Sequence, residues 1–334
     1  MRIAYPLLAL LLITACDNTT GGAMPIDAKD LLEKMDGPKV EGLTATQIEA
    51  AKTAEKKGNY EQAIQIYGQI LDREAENTDV AIMLAETLRR NKEFDRTIAG
   101  YDLILKKHPE NLDAKEGKAL TLISKGDFET PLDLVNEVLK QDAKRWKTLN
   151  AGGILFVTRE KYDDATKYFS EALRYSPDNI SVLNNLGLTQ CLKKQYAESI
   201  KTLNRASTIS GADSNERQRI DLNLALVYAV SGDFEAAQKI ASQYLSGAKL
   251  SNNLGLYAHL AKNDSLAKTY LNMALTDSPT YYEKAWNNLD SLNNTSPASK
   301  RETGKLTMPA PEAKTETKVV PFEETTQSLG TIRK

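Results

Sequence analysis

Histidine is almost missing from these 334 residues: only His108 and His259 occur, and cysteine appears only at Cys16 and Cys191. Neither histidine has a second His or Cys at metal-ligand spacing, so the sequence offers no metal site and implies no cofactor. A glycine-rich phosphate loop is lacking too, because Thr303-Gly304-Lys305 has no upstream glycine. Ser-x-x-Lys occurs at Ser246/Lys249 and Ser265/Lys268 without the further partners that catalysis needs. Cys191 sits among Leu188, Gln190 and Leu192, which supply no base, and reads as an apolar residue rather than a nucleophile. Enzyme chemistry is therefore not expected. Charge of one sign is also absent: 43 Lys and Arg stand against 45 Asp and Glu, for a formal net charge of −2. That excludes the basic bias of a nucleic-acid binder.

The N-terminal stretch has little charge and one purpose. Arg2 precedes the apolar run Ile3 to Ile13, which is too short for a bilayer span of roughly 20 residues but has the length of a signal-peptide core. Ile13-Thr14-Ala15-Cys16 then places small residues before a cysteine. The pattern resembles the lipobox of bacterial lipoproteins, and the resemblance implies cleavage after residue 15 and lipid attachment at Cys16. Two or more acyl chains hold where one does not, since each buried CH₂ contributes about 0.8 kcal/mol. The location so implied is the cell envelope, lipid-anchored and facing the periplasm. Asp17 resembles an inner-membrane retention signal, but the choice between inner and outer membrane stays open. Residues 16–43 read as a tether carrying one short helix at Ala28 to Met35.

What the chain has in plenty is Ala, Leu, Glu and Lys, which favour helices, and a repeat. Tyr60, Phe94, Phe128, Tyr162 and Tyr196 follow one another at intervals of 34. Around them recurs Gly-x-aromatic-x-x-Ala, then Ala-Leu, then Pro, as in Tyr162…Ala165…Phe169…Ala172-Leu173…Pro177. Interval and residue types resemble the tetratricopeptide repeat. The fold class expected is all-α: a right-handed superhelical solenoid of about seven helix pairs over 44–293 with a C-terminal capping helix. Units start at Thr44, Thr78, Leu112, Trp146, Ile180, Gln218 and Ala248, with four extra residues within Gly211 to Arg217 and a sixth unit four residues short. Small residues stand where paired helices approach: Ala85, Ala119, Gly153, Gly187, Ala225 and Gly255 in first helices, Ala63, Ala165 and Ala237 in second ones. Pro131 inside the third second-helix predicts a late start or a bend, with Thr130 as N-cap. Thr280 to Leu292 reads as the cap, with Tyr281, Ala285, Trp286 and Leu289 inward. From 294 to 334 Pro, Lys, Glu and Thr dominate, a composition that cannot bury a core. Val319-Val320-Pro321-Phe322 is its one apolar cluster, a candidate docking motif.

The resemblance also implies a concave groove lined by the first helices. Lys52, Glu55, Lys56, Glu86, Arg89 and Arg90 make its N-terminal half charged. Ile154, Leu188, Leu226 and Leu256, beside Val157, Cys191, Ala229 and His259, make the C-terminal half apolar, as binding sites are. Asn150, Asn184, Asn185, Asn223, Asn252 and Asn253 flank that strip, and an amide can satisfy a peptide backbone. The competing readings are that Asn179, Asn111 and Asn252 cap helices, and that a tightly wound superhelix or the C-terminal tail covers the strip. The candidate groove residues are thus Asn150, Ile154, Asn184, Asn185, Leu188, Asn223, Leu226, Asn253 and Leu256.

The lipobox, the repeats and the runs Asn223-Leu224-Ala225-Leu226-Val227-Tyr228…Gly232-Asp233-Phe234 and Tyr281-Tyr282-Glu283-Lys284-Ala285-Trp286 are similar to the TadD group of tight-adherence (Flp pilus) lipoproteins. That similarity implies a pilotin-like assembly factor with a protein partner in the groove, such as a secretin or another pilus assembly component. A periplasmic peptide-binding co-chaperone or a general envelope scaffold is the alternative.

Overall fold

The computed structural model describes residues 40–211, 214–278 and 282–295, and among them fifteen helices and no strands. They run as seven antiparallel hairpins and one closing helix. The first two hairpins are α1–α2 (Val40–Lys56, Tyr60–Arg73) and α3–α4 (Thr78–Arg90, Phe94–Lys107). The next two are α5–α6 (Leu112–Lys125, Pro131–Gln141) and α7–α8 (Trp146–Thr158, Tyr162–Tyr175). Then come α9–α10 (Ile180–Leu192, Tyr196–Ile209), α11–α12 (Asn215–Ser231, Phe234–Ala241) and α13–α14 (Gly247–Leu260, Asp264–Thr276), closed by α15 (Glu283–Thr295). The lipid-attachment site, residues 16–39 of the tether and the tail beyond Thr295 fall outside the described residues.

Local chemistry sets the boundaries. Asn59, Asn77, Asn111, Asn179, Ser214, Asp233 and Asn263 each accept an N–H of the turn that follows, satisfying donors that a helix start leaves orphaned. Each hairpin then turns through one left-handed residue: Gly58, Lys92, Gly126, Glu160, Lys194, Gly232 and Lys262. Where that residue is glycine no Cβ opposes the conformation. Four units use a residue that carries one.

Three boundaries differ from the sequence reading by more than one residue. Helix α1 begins at Val40, four residues into the expected tether. Helix α11 begins at Asn215 rather than Gln218, because the Ser214 hydroxyl accepts the Arg217 N–H at 3.0 Å and draws the extra residues into the helix. The closing helix runs Glu283–Thr295, with Ala285, Leu289 and Leu292 on its packed face; Tyr281 lies outside the described residues. Pro131 delays α6 as expected and takes its first position. Thr130, however, makes no side-chain cap bond. Asp127 does that work, accepting the Glu129 and Thr130 N–H groups at 3.0 and 3.1 Å.

Packing follows the small residues. A Cβ on Gly187 would lie 2.7 Å from Leu203 Cγ, and one on Gly255 2.7 Å from Leu271 Cγ. The bare backbone is what lets a large second-helix side chain seat against its partner. Each first helix also packs directly on the first helix of the next unit, from α3 on α5 to α13 on α15. No hairpin buries its apolar face alone, so the core is continuous and one-dimensional.

Candidate functional site

The predicted groove residues lie at repeated positions of four successive first helices, α7, α9, α11 and α13. In units four to six this is visible in the bonding of the asparagines. Asn223 Nδ2 donates to Asn184 Oδ1 at 2.8 Å, and Asn185 Nδ2 donates to Asn150 Oδ1 at 3.0 Å. Asn184 Nδ2 reaches Asn185 Oδ1 at 3.5 Å, so the four amides form one relay across α11, α9 and α7. The rung is the same each time: the sixth residue of one unit reaches the fifth of the unit before. Asn288 of α15 repeats it by donating to Asn252 at 3.0 Å. Asn253 bonds only locally, to the Lys249 carbonyl at 2.9 Å. Asn111 and Asn179 are helix caps, as their alternative reading had it.

The nine candidates differ in exposure. Asn150, Ile154, Asn184, Asn185, Leu188, Asn223 and Leu226 are buried, whereas Asn253 and Leu256 are half-buried. Four of the nine come together in a cleft of about 320 Å³ between α11 and α13: Asn223, Leu226, Asn253 and Leu256. Leu222, Tyr257 and Leu260 complete its apolar floor, and Gln218 and Arg219 its polar rim. Tyr257 is fixed there by its hydroxyl, which donates to the Leu222 carbonyl at 2.9 Å across the unit boundary. This cleft can take one large apolar side chain of a polypeptide, with amides at its edge for the backbone.

Further along the same face the charged half is internally paired. Arg89 meets Glu86 at 2.7 Å, and Arg90 reaches Glu55 at 3.3 Å and Glu86 at 3.5 Å. Burial works to raise the Glu86 carboxyl, but the Arg89 hydrogen bond and the Arg89, Arg90 and Lys147 charges overcome it and hold the group below the usual carboxylate range. Thr87 Oγ1 donates to Glu55 at 2.6 Å. A smaller polar cleft of about 90 Å³, lined by Glu86, Arg89, Trp146, Lys147 and Asn150, joins this half to the asparagine relay.

Other candidates for chemistry go elsewhere. Cys191 is buried among Leu183, Leu203, Ile220 and Leu224, and burial pushes its thiol up to about 12. His259 Nδ1 lies 2.9 Å from Asp264 on the surface. Among the described residues no group of three or more His, Cys, Asp or Glu is placed to hold a metal ion, and no helix is long and apolar enough to cross a membrane.

Sequence reasoning missed a second cleft, of about 370 Å³, between α2 and α4 over α3. Its walls include Leu71, Ala81, Leu84, Leu88, Leu103 and Ile104. The signal was in the repeat: Gly100 stands where five other units carry Ile66, Leu134, Tyr168, Ile240 and Tyr270 and the fifth unit carries Thr202. Leu103, 67% exposed, stands where five other units carry Gln69, Glu137, Glu171, Arg205 and Gln243 and the seventh carries Met273, 44% exposed.

Tetratricopeptide-repeat family models match residues 54–119 and 150–215. No curated protein matches the sequence. Among solved structures, a tetratricopeptide repeat protein from Parabacteroides merdae is similar at 18% identity and a TM-score of 0.52, over 75% of this chain and 98% of that one. A monomeric mutant of IFIT1 with m7Gppp-AAAA is similar at 15% identity and a TM-score of 0.59, over 80% of this chain and 66% of that one. At these identities the likeness concerns the fold alone.

Proposed function

We infer, for a chain that is a tetratricopeptide-repeat solenoid, that it is a membrane-anchored scaffold which captures a segment of a partner polypeptide on its first-helix face. The single observation that carries this is the α11–α13 cleft, where Leu222, Leu226, Leu256 and Leu260 meet a rim of amides and one guanidinium. Solenoids of this kind bind peptides or protein partners in a groove. An open apolar hollow with convergent polar groups is what such capture needs. The anchor rests on sequence alone: the Ile3–Ile13 run and Thr14-Ala15-Cys16. The finer reading is a pilotin-like assembly factor of a tight-adherence pilus or related secretion system, supported by the similarity to the TadD group. No reaction belongs to it.

The pair Asn185 and Leu226 would make a poor probe, since the first bonds two other asparagines and the second is 1% exposed. Leu222 and Leu256 line the same cleft and are half-buried. The double variant Leu222→Lys/Leu256→Lys should keep its helical signal and melting point within a few degrees. Affinity capture from envelope membranes, read by mass spectrometry, should recover a defined envelope protein with the parent chain and lose it with the variant. Equal recovery by both would overturn the assignment of the cleft. Recovery of many unrelated polypeptides would favour the co-chaperone instead.

A further inference from the structure

The α2–α4 cleft is on the face built by second helices, away from the groove, and the function above leaves it unused. Its floor is α3, through Ala81, Leu84 and Leu88. Two absences open it, the side chain of Gly100 and anything larger than a methyl at Ala81; a Cβ on Gly100 would meet only Ala85, at 3.8 Å. Leu103 stands at the rim, and Lys107 closes one end by pairing with Glu76 at 2.7 Å. Exposed apolar residues recur at this position only in Met273 of the seventh unit, and here Leu103 is continuous with Leu71, Leu84 and Leu88, an apolar surface of the kind that something covers.

The chain itself brings an occupant to that place. Helix α1 runs antiparallel to α2, and its N-terminal half is held to the α2 end where the Thr44 hydroxyl donates to Glu74 and Arg73 donates to Gln47. Ala75 and Glu76, the next residues, are already in the cleft wall. The polypeptide therefore joins the solenoid beside the cleft. Immediately before it, outside the described residues, stands Ala28-Lys29-Asp30-Leu31-Leu32-Glu33-Lys34-Met35. Its apolar residues fall at i, i+3, i+4 and i+7, one stripe of a helix, with charges on the other side. Helix α1 offers that stripe no seat, since its outward residues Ala45, Glu49, Thr53 and Lys56 are small or polar. Four residues, 36–39, separate Met35 from α1. At roughly 3.5 Å each they reach about 14 Å.

We propose that residues 28–35 dock as an amphipathic helix in the α2–α4 cleft, placing Leu31, Leu32 and Met35 against Leu84, Leu103 and Ile104. The mode is helix-in-groove, made intramolecular by a four-residue link. It seals the one apolar surface that the second helices of units one and two leave open, and it sets the direction in which the preceding chain leaves the solenoid.

The test places a reporter at the rim. In the full chain, Leu103→Cys is treated with a maleimide and the labelling rate is followed by peptide mass mapping, so that Cys16 and Cys191 do not contribute. Docking predicts a rate at least about tenfold slower than in the same chain carrying Leu31→Ser/Leu32→Ser, because the link keeps the effective concentration of the helix high. Equal rates in the two chains would overturn the proposal. Protection that disappears on dilution would also overturn it, by identifying a second copy as the occupant.

Discussion

Two glycines in comparable helix interiors should respond to the same substitution with opposite signs. Gly100 is in the middle of α4 and Gly187 in the middle of α9. Replacing either by alanine removes backbone freedom from the unfolded chain and favours helix by about 0.8–1 kcal/mol. At Gly100 the new methyl meets only Ala85 Cβ at 3.8 Å, an ordinary contact, so that gain is kept. At Gly187 the methyl would sit 2.7 Å from Leu203 Cγ and 2.9 Å from Cδ2. Leu203 is fully buried among Leu183, Ile220, Leu224 and Val227 and has nowhere to go. Helix α10 would have to withdraw, and the buried Ser199 hydroxyl, which donates to the Gly187 carbonyl at 2.7 Å, would lose its partner. Overpacking costs about 1–3 kcal/mol and the lost hydrogen bond about 1 more. The net expectation is that Gly100→Ala stabilises by up to about 1 kcal/mol and Gly187→Ala destabilises by about 1–3 kcal/mol. At roughly 2–4 °C per kcal/mol for a domain of this size, the two melting points should differ by at least about 4 °C. Thermal melts followed by circular dichroism at 222 nm on matched samples measure this. A Gly187→Ala chain that melts at or above Gly100→Ala would refute the close-approach argument for the whole stack.

The left-handed turn residues give a second expectation. Lys92, Glu160, Lys194 and Lys262 hold φ between 58° and 63°. Glycine there relieves about 1–2 kcal/mol of steric cost against about 0.4–1 kcal/mol of added unfolded-state freedom. The fourfold glycine variant should gain about 2 kcal/mol overall and melt higher; a lower melting point would contradict the turn assignment. The asparagine relay gives a third. Asn185→Ala leaves Asn150 Oδ1 and Asn184 Nδ2 without their Asn185 partner, each such loss worth about 1–3 kcal/mol in a buried site, so urea unfolding should show a loss of about 2–4 kcal/mol. A loss under about 0.5 kcal/mol would mean that solvent reaches the relay and takes over its bonds.

Much of the fold was legible because a repeat exposes its own register. Aromatics 34 apart, together with the small residues, place hairpin turns and close approaches without reference to any partner. Pro131 was readable for the same reason, as a departure from a known position. The relay was half legible. Register identified Asn150, Asn184, Asn185 and Asn223 as sharing one face, but an amide has no way of declaring in sequence whether its partner is a ligand or the next amide. That depends on the spacing between adjacent first helices, a tertiary quantity. Gly100 and Leu103 were legible in principle and missed in practice. Their signal is a difference between units at a non-signature position, whereas periodicity reading looks for agreement. The start of α1 at Val40 was not legible, since Gly42 weakens a helix that Val40 and Leu43 alone barely signal, and packing of α1 on α2 sustains it.

The irregular fifth and sixth units show what the stack requires of its sequence. Left-handed turn residues recur at 58, 92, 126, 160 and 194, then at 232 and 262, so an interval of 38 is followed by one of 30. The surplus lengthens α11 to 17 residues at its start, and the deficit shortens α12 to 8 residues. An increment of four is close to one helical turn, and it therefore returns the apolar face of α11 to nearly its former direction. Ile220 and Leu224 still meet Leu203 of the unit before, and Ala225 and Ala229 share a core with Ala237. A surplus of two would have turned that face by about 200° and carried Ile220 and Leu224 away from Leu203. What is conserved from one hairpin to the next is thus the angle at which each first helix meets its neighbours, and chain length varies only in the steps that preserve it. With that angle kept, Leu222 and Leu226 of α11 converge with Leu256 and Leu260 of α13 on the open α11–α13 cleft.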